Sequence, residues 1–211
     1  MDFPRVEQLR HLRRYELRRL ILTDMPQWPR TLEHLTLACE VAPSVHPDVE
    51  VFKGMKDLTS VRFNNSGMIT IDMIAALLTD AKETLKSFEI AWTDVDFSEL
   101  KDLMTTGLFE SITHLNIAGM YSVDDEAINV IIDTMPNLKV LDLSSTEITP
   151  FCLGLLTHTD KLKLEKLFVW ETNFKLKQDV IDYARSRGIE IASQQIRADR
   201  RKALYERFSE L

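Results

Sequence analysis

Residues 138–149 read Leu-Lys-Val-Leu-Asp-Leu-Ser-Ser-Thr-Glu-Ile-Thr, and they are the best copy of a pattern that recurs along the chain. Apolar residues alternate with a polar one over residues 141–143, which predicts a short strand with one buried face. The hydroxyl side chains of residues 144–146 can bond backbone groups that a turn leaves unpaired. Thr149 then precedes Pro150 and an apolar run, which is typical of a helix start. The stretch therefore predicts a strand, a turn and a helix in succession.

The same apolar pattern recurs along the chain. Two apolar positions three residues apart, with a third two residues later, define units that begin at residues 17, 32, 58, 85, 112, 138 and 164. The intervals are 15, 26, 27, 27, 26 and 26 residues, and a truncated eighth unit follows at residues 188–191. The first unit is assigned to Leu17, Leu20 and Leu22. Because a single unit cannot bury its apolar face, the recurrence predicts that neighbouring units stack.

Helices are expected after most of the strands. The apolar spacing predicts them at Ile71–Leu78, Phe97–Met104, Asp124–Met135 and Gln178–Arg187, as well as after Pro150. Acidic residues 124–126 are interpreted as first-turn charges of a helix rather than as metal ligands. In the first unit, Pro26 and Pro29 exclude a helix and predict an extended backbone, with Trp28 covering the core.

Residues 17–191 resemble the leucine-rich repeat family in period and pattern. The resemblance implies an α/β solenoid, a right-handed β/α superhelix with parallel strands on a concave face and helices outside. The period of 26–27 residues is similar to the ribonuclease-inhibitor-like intracellular class, and residues 138–149 resemble repeats of F-box proteins that act as substrate receptors of ubiquitin ligases. No unit has the cysteine of the cysteine-containing class, and residues 1–16 are too few for an F-box. We therefore expect only the recognition half of such a receptor.

The two ends are expected to be helical caps that shield the terminal repeats, over residues 1–16 and 192–211. The net charge is −7. Residues 1–30 carry a net +3 and residues 192–211 a net +2, so the middle carries −12. Solvated helix faces account for these basic ends. The alternative is that they bind an acidic partner or nucleic acid.

Composition and motifs point away from catalysis and from the membrane. Hydrophobic residues make up 45% of the chain, and no apolar stretch reaches the ~20 residues of a transmembrane helix. The start of the chain lacks a signal sequence, so a cytoplasmic or nuclear location is expected. There is no glycine-rich phosphate loop, and His34 and His114 occupy the same position three strands apart, about 15 Å from each other. We expect no cofactor, no metal and no enzymatic activity.

The strand residues that point away from the core should form rows across the concave face. In the first unit these rows are expected to begin at Ile21, Thr23 and Asp24. Small residues at 91, 118 and 119 would let the backbone of a partner approach closely. Because aromatic and charged residues dominate interface hot spots, we expect a protein partner to contact the rows at Arg62, Glu89, Trp92, Asn116, Met120, Tyr121, Asp142, Phe168 and Trp170.

Two alternatives concern these aromatic residues. Phe168 and Trp170 could instead pack under the C-terminal cap, and Trp92 could pack on a neighbouring turn. The sequence thus predicts a non-catalytic protein-recognition module or adaptor, with a substrate receptor of a ubiquitin ligase as the most specific hypothesis. A structural assembly factor or an RNA-associated adaptor that uses the basic ends is the alternative. Partner identity and oligomeric state stay open.

Overall fold

A single sheet of eight parallel strands runs through the chain, and the strands lie in chain order. The computed structural model describes residues 9, 11–22, 26–42, 48–67, 69–172 and 174–196. Successive strands pair in register along the whole sheet, so each repeat stacks on the next. The strands are β1 (Arg14–Leu22), β2 (His34–Val41), β3 (Ser60–Arg62), β4 (Ser87–Glu89), β5 (His114–Asn116), β6 (Val140–Asp142), β7 (Lys166–Phe168) and β8 (Glu190–Ala192).

Strands β3 to β8 are three residues long, and only the central residue of each is fully buried. A side chain at the centre points to the opposite face from its two neighbours, because side chains alternate along a strand. The central residues stack into one buried column, with register partners at each step. They are Val61, Phe88, Leu115, Leu141, Leu167 and Ile191.

In the part of the chain that the structure describes, five α-helices connect successive strands, and their positions confirm the sequence prediction to within a few residues. Each of the first four helices is capped by a side-chain oxygen that accepts a hydrogen bond from a backbone N–H of the first turn. The capping residues are Thr70, Asp96, Asp124 and Thr149. A short 3-10 helix at Val49–Phe52 replaces the helix after β2. The helices are α1 (Ile71–Ala81), α2 (Phe97–Thr105), α3 (Asp125–Thr134), α4 (Pro150–His158) and α5 (Gln178–Ser186).

Four phenylalanines link consecutive repeats inside the core. Phe52, Phe63, Phe88 and Phe109 are buried and meet edge to face, with ring centroids 5.6, 6.5 and 5.8 Å apart. This geometry is the favoured one for aromatic pairs, because the positive edge of one ring meets the negative face of the next. The row of rings therefore ties the second, third and fourth repeats together.

The first repeat lies in a different register from the predicted one. Tyr15 pairs with Leu35 and Leu17 pairs with Leu37, so the apolar pattern of this repeat is Leu12, Tyr15 and Leu17. Leu20, which was expected in the core, is exposed. The prediction was wrong because two overlapping apolar patterns satisfy the same spacing. In the observed register the second repeat starts 20 residues after the first, within the usual range for such repeats.

The expected N-terminal helical cap is wrong where the structure describes it. Residues 11–13 form a turn and coil, and residues 14–16 belong to β1, so the sheet begins at residue 14 rather than 17. Residues 1–8 and 10 of that expected cap lie outside the described residues. At the other end, β8 extends to Ala192, and Ser193 accepts the N–H of Ile196 at the start of a helical turn over residues 194–196. The expected cap beyond residue 196 lies outside the described residues.

The chain between β1 and β2 confirms the prediction for the proline-containing segment. Residues 26–29 are neither helix nor strand, and Trp28 is buried. Its ring packs against Tyr15 at a centroid distance of 5.5 Å. Trp28 therefore covers the core of the first repeat, as the two prolines indicated.

The phenylalanine row predicts a large difference between two single substitutions. Phe88→Ala should lower the free energy of unfolding by about 3–5 kcal/mol, because it removes a buried ring that contacts two other rings. Phe151→Ala is the matched control, since that ring is 67% exposed, and it should change stability by about 0.5 kcal/mol or less. Urea denaturation followed by circular dichroism measures both. Equal losses would contradict the proposed packing.

Candidate functional site

The side of the sheet that faces away from the buried column is called the open face. It consists of the first and third residues of each short strand, which are partly exposed in most strands. The third residues form a row that register pairing makes continuous across the sheet. In order, this row contains Glu16, Thr36, Arg62, Glu89, Asn116, Asp142, Phe168 and Ala192.

Arg62 and Glu89 form a two-pronged ion pair on this row. The guanidinium Nε and one terminal nitrogen of Arg62 each donate to a carboxylate oxygen of Glu89 at 2.7 Å. The side chain of Glu89 is 17% exposed, so the pair is less screened than a fully solvated one. The bond to Glu89 raises the pKa of Arg62, and Glu16 adds to the effect through its charge. Two predicted contact residues are thus brought together and hold each other in place.

Asn116 and Asp142 occupy adjacent places in the same row, and their side chains make equivalent hydrogen bonds. Each side chain accepts the backbone N–H two residues ahead, from Ala118 and Ser144 respectively, at 3.0 Å. These bonds fix the turn that follows the strand. Burial raises the pKa of Asp142 above its ordinary value, the bonds from Ser144 oppose the shift, and the nearby charge of Glu89 adds to it. Both residues lie on the open face as predicted, but each also shapes its own turn.

A left-handed residue follows the strand in most repeats. Backbone φ is positive at Arg19, Asn65, Trp92, Gly119, Ser145 and Glu171, all at the equivalent position. Four of them donate their N–H to the next repeat, from Asn65 to Ala91, Trp92 to Ala118, Gly119 to Ser144 and Ser145 to Trp170, at 2.8–3.0 Å. The ladder of hydrogen bonds therefore continues past the strands. The side chains at this position are exposed or partly exposed at the edge of the open face.

Trp92 packs on the neighbouring turn. A Cβ placed on Gly119 would overlap the indole ring of Trp92, so the ring lies directly over that glycine. Ala91 and Ala118 are buried. The small residues were expected to admit the backbone of a partner, and at Gly119 this is wrong because the indole already fills the space. Trp92 nevertheless leaves 43% of its surface exposed, on the other face of its ring.

Met120 was predicted to contact a partner, and this is wrong because its side chain is 2% exposed and belongs to the core. Its position in the repeat points inward after the left-handed residue. Threonines at the same place in other repeats use their hydroxyl to bond the carbonyl three residues back, as Thr93 and Thr146 do at 2.9 and 2.7 Å. Methionine fills that space with an apolar side chain instead.

The remaining predicted aromatic residues differ in exposure. Tyr121 is 70% exposed in the turn after β5. Phe168 and Trp170 are partly exposed, and the ammonium of Lys166 lies 5.1 Å from the centroid of the Phe168 ring. The alternative that a C-terminal cap covers these two residues involves a segment that lies outside the described residues. Tyr121 is therefore the most accessible of the predicted contact residues.

The first repeat supplies open-face residues that the sequence analysis missed. The corrected register places Glu16, Arg18 and Arg19 where Ile21, Thr23 and Asp24 had been expected. Ile21 is exposed, and residues 23 and 24 lie outside the described residues. The missed signal was the interval: 20 residues fits a repeat of this type, whereas 15 does not.

Neither cysteine lies in surroundings that favour a reactive thiolate. Both are buried and free. Burial raises the pKa of the Cys39 thiol to about 11, and burial together with Asp125 raises that of Cys152 further. The reactive thiolate form is therefore scarce near neutral pH. Within the described residues, no three His, Cys, Asp or Glu side chains are placed to share a metal ion.

His34 and His114 are the first residues of β2 and β5, so they occupy the same position three strands apart, as predicted. Taking the described part of the chain, no helix is both long enough and apolar enough to cross a bilayer.

Comparisons with known proteins leave the chain without an assigned family. No protein-family model matches it, and no curated protein matches it. Among solved structures, one described as "Leiomodin-1 Actin-Binding Site 2 (ABS2)" is 19% identical, with 74% of this chain and 91% of that chain covered and a TM-score of 0.47. The chain itself has an α/β repeat fold in which one parallel eight-stranded sheet alternates with helices.

The contact between Trp92 and Gly119 can be tested with two glycines. Gly119 and Gly188 both have positive φ, at 73° and 78°, but no described atom lies within 4 Å of a Cβ placed on Gly188. Gly188→Ala should cost about 1 kcal/mol, the usual penalty for a left-handed alanine. Gly119→Ala should cost more and should shift the tryptophan emission, because the indole must move. Equal losses with unchanged emission would contradict the stacking.

The partly buried carboxylate predicts a pH-dependent stability. Because the pKa of Asp142 is raised in the folded state, folding favours its protonated form, and its contribution to stability falls as pH rises above about the ordinary value of 3.8. Asp142→Asn should keep the turn bond and stabilise the protein at pH 7, by on the order of 0.5 kcal/mol. The gain should vanish below the ordinary pKa. Asn116→Asp, the reciprocal control, should destabilise at pH 7; urea denaturation at both pH values checks the signs.

Proposed function

We propose that this chain is a non-catalytic protein-recognition module whose open face contacts a protein partner. The observation that carries the proposal is the continuous third-residue row, in which charged, amide and aromatic side chains follow one another in register. Eight strands at ~4.8 Å spacing give a face about 34 Å long, which is adequate for an ordinary interface. Arg62, Glu89, Asn116, Asp142 and Phe168 are the central contacts.

The exposed aromatic residues beside this row support a protein as the partner. Tyr121 and Trp92 present apolar surface next to polar groups, a combination that is enriched in interface hot spots. Trp92 is also held by Gly119, so a partner would meet a ring that has already lost much of its freedom. Binding to a fixed ring loses less conformational entropy than binding to a mobile one.

The finer architecture belongs to the same proposal. The 26–27-residue period and the strand pattern support a leucine-rich repeat solenoid, a right-handed superhelix whose open face is concave. The helical turn after Ser193 supports a C-terminal helical cap within the expected residues 192–211, beginning after Ala192, the last residue of β8. In that architecture the helices lie outside and leave the strands to the partner. A cytoplasmic or nuclear location is part of the same proposal.

The most specific role that we propose is substrate recognition for a ubiquitin ligase. Its support is the resemblance of residues 138–149 to repeats of F-box receptors, together with the accessible face described above. The alternative is a structural assembly factor or an RNA-associated adaptor. A specific observation favours considering it: Arg14, Arg18 and Arg19 lie exposed on one strand, β1. Binding through these arginines to RNA would fall steeply with salt.

Differential capture of a partner tests the open face. Proteins bound by the wild type from a cell lysate should be compared with those bound by a Tyr121→Ser, Phe168→Ser double variant and by Phe151→Ser. Tyr121 and Phe151 are matched in exposure, at 70% and 67%, but Phe151 begins α4 on the helical side. We expect the double variant to lose a partner by about tenfold while Phe151→Ser retains it.

The controls separate this proposal from its alternatives. All three proteins must first show the same thermal unfolding midpoint within the error of the measurement. A partner that is retained by the double variant and lost after ribonuclease treatment would overturn the open-face proposal in favour of the RNA-associated adaptor. Loss of the partner from Phe151→Ser alone would place recognition on the helices.

A further inference from the structure

A cavity of about 640 Å³ lies at the first-repeat end of the open face, and nothing proposed above requires it. Strands β1 and β2 remain paired up to Leu22 and Val41, whereas β3 pairs only with residues 34–36 of β2. The two long strands therefore form an extension that passes the end of the sheet. The cavity lies between this extension and the turn after β3, which contains Asn64 and Asn65.

The charged lining of this cavity is mainly basic. Three of its lining residues are arginines, at positions 18, 19 and 62, and one is an acid, Glu40. Arg18 pairs with Glu16, and Arg62 pairs with Glu89. Among the described residues, Arg19 makes no ion pair, although it lies at the bulge where the register of β1 shifts. Arg19 is thus the guanidinium with capacity for a carboxylate from outside.

A polar atom in the same lining lacks a partner. The side-chain oxygen of Asn64 is buried and accepts no hydrogen bond within the described structure. Its amide nitrogen is 3.4 Å from a carboxylate oxygen of Glu89, which fixes the orientation of the group. This oxygen has no surface that a ligand in the cavity could reach, so Asn64 shapes the wall of the cavity and is assigned no contact with the ligand.

The third feature of the cavity is apolar surface on the extension. Leu20 and Ile21 line it and are 46% and 67% exposed. Large apolar side chains that stay this exposed next to a cavity favour contact with an apolar group of a ligand.

We propose that this cavity binds an extended acidic peptide segment of a partner protein, with a carboxylate on Arg19 and an apolar side chain on Leu20 and Ile21. This combination favours a peptide over a single-stranded nucleic acid, because bases bind by stacking on aromatic rings and none of the residues that line the cavity is aromatic. The inference rests on the proposed protein-recognition function and adds the chemistry and place of one contact.

The test begins with a library of short random peptides displayed on phage and selected on the wild-type protein, with Arg19→Gln used for counter-selection. Selected sequences should combine Asp or Glu with Leu, Ile, Val or Phe. The most enriched peptide is then synthesised with a fluorescein label, and its affinity is measured by fluorescence polarisation. Arg19→Gln should weaken binding by about tenfold, because a charge-assisted bond to a carboxylate is lost.

Matched variants and probes decide the interpretation. Lys101→Gln removes one positive charge from an exposed position of α2, far from the cavity in sequence and fold, and it should leave the affinity unchanged. The same peptide with amides in place of its carboxylates should bind about tenfold more weakly. Ile21→Ser should weaken binding without lowering the unfolding midpoint, since Ile21 is exposed.

Three results would overturn the inference. They are selection of peptides without carboxylates, equal losses for Arg19→Gln and Lys101→Gln, and tighter binding of a labelled single-stranded oligonucleotide than of any selected peptide. If the peptide site fails while the open-face double variant still loses its partner, the proposed function stands and only this inference falls. If the peptide site holds and the open-face variant loses nothing, recognition is confined to the cavity.

Discussion

Backbone pairing between equivalent residues of successive repeats is the interaction on which the rest of this structure depends. Each strand of β3 to β8 is only three residues long, too short to hold a sheet by its own bonds. The ladder is extended by the left-handed residues beyond the strands and by the residues just before them, such as Lys86, whose carbonyl accepts from both Thr113 and His114. The repeats are thereby held at one spacing, and equivalent side chains of successive strands are aligned in rows.

The left-handed position shows what this ladder demands of the sequence. Glycine would satisfy the backbone without strain, yet five of the six residues there are not glycine. Each such residue costs on the order of 1 kcal/mol, which the neighbouring packing must offset. At Trp92 the offset is visible, because its ring lies over Gly119 of the next repeat. The backbone strain at Trp92 is therefore offset by ring packing that the absence of a side chain at Gly119 makes possible.

The sequence predicted the repeating part of the fold and the proline-containing segment, and it missed the register of the first repeat. The 26–27-residue period located the strands and helices because each apolar position is buried by two neighbours that share its spacing. The first repeat has a neighbour on one side only, so Leu17, Leu20 and Leu22 matched the pattern as well as Leu12, Tyr15 and Leu17 did. The local pattern does not distinguish the two registers, whereas the 20-residue interval to the second repeat and the cross-strand pairing do.

The outcome for the predicted contact residues depends on whether the residue lies in a strand or in a turn. Arg62, Glu89, Asn116 and Asp142 lie on the open face because strand alternation alone places them there. Met120 lies in a turn, where alternation no longer applies and the direction of the side chain depends on the left-handed residue before it. The sequence therefore predicted the strand rows and failed in the turn.

Strand β1 protects one edge of the sheet and also lines the proposed peptide site. In the described sheet β1 lies at one edge and β8 at the other, and an exposed edge invites unwanted pairing with a further strand. Strand β8 avoids this by being short, and β1 by its charged residues and its bulge, as Arg14, Arg18 and Arg19 illustrate. Edge protection explains the charge on β1, but it does not require the cavity beside that strand, which Arg18 and Arg19 line. In the proposed peptide site, the same strand protects the edge of the sheet and supplies the arginine that binds a carboxylate.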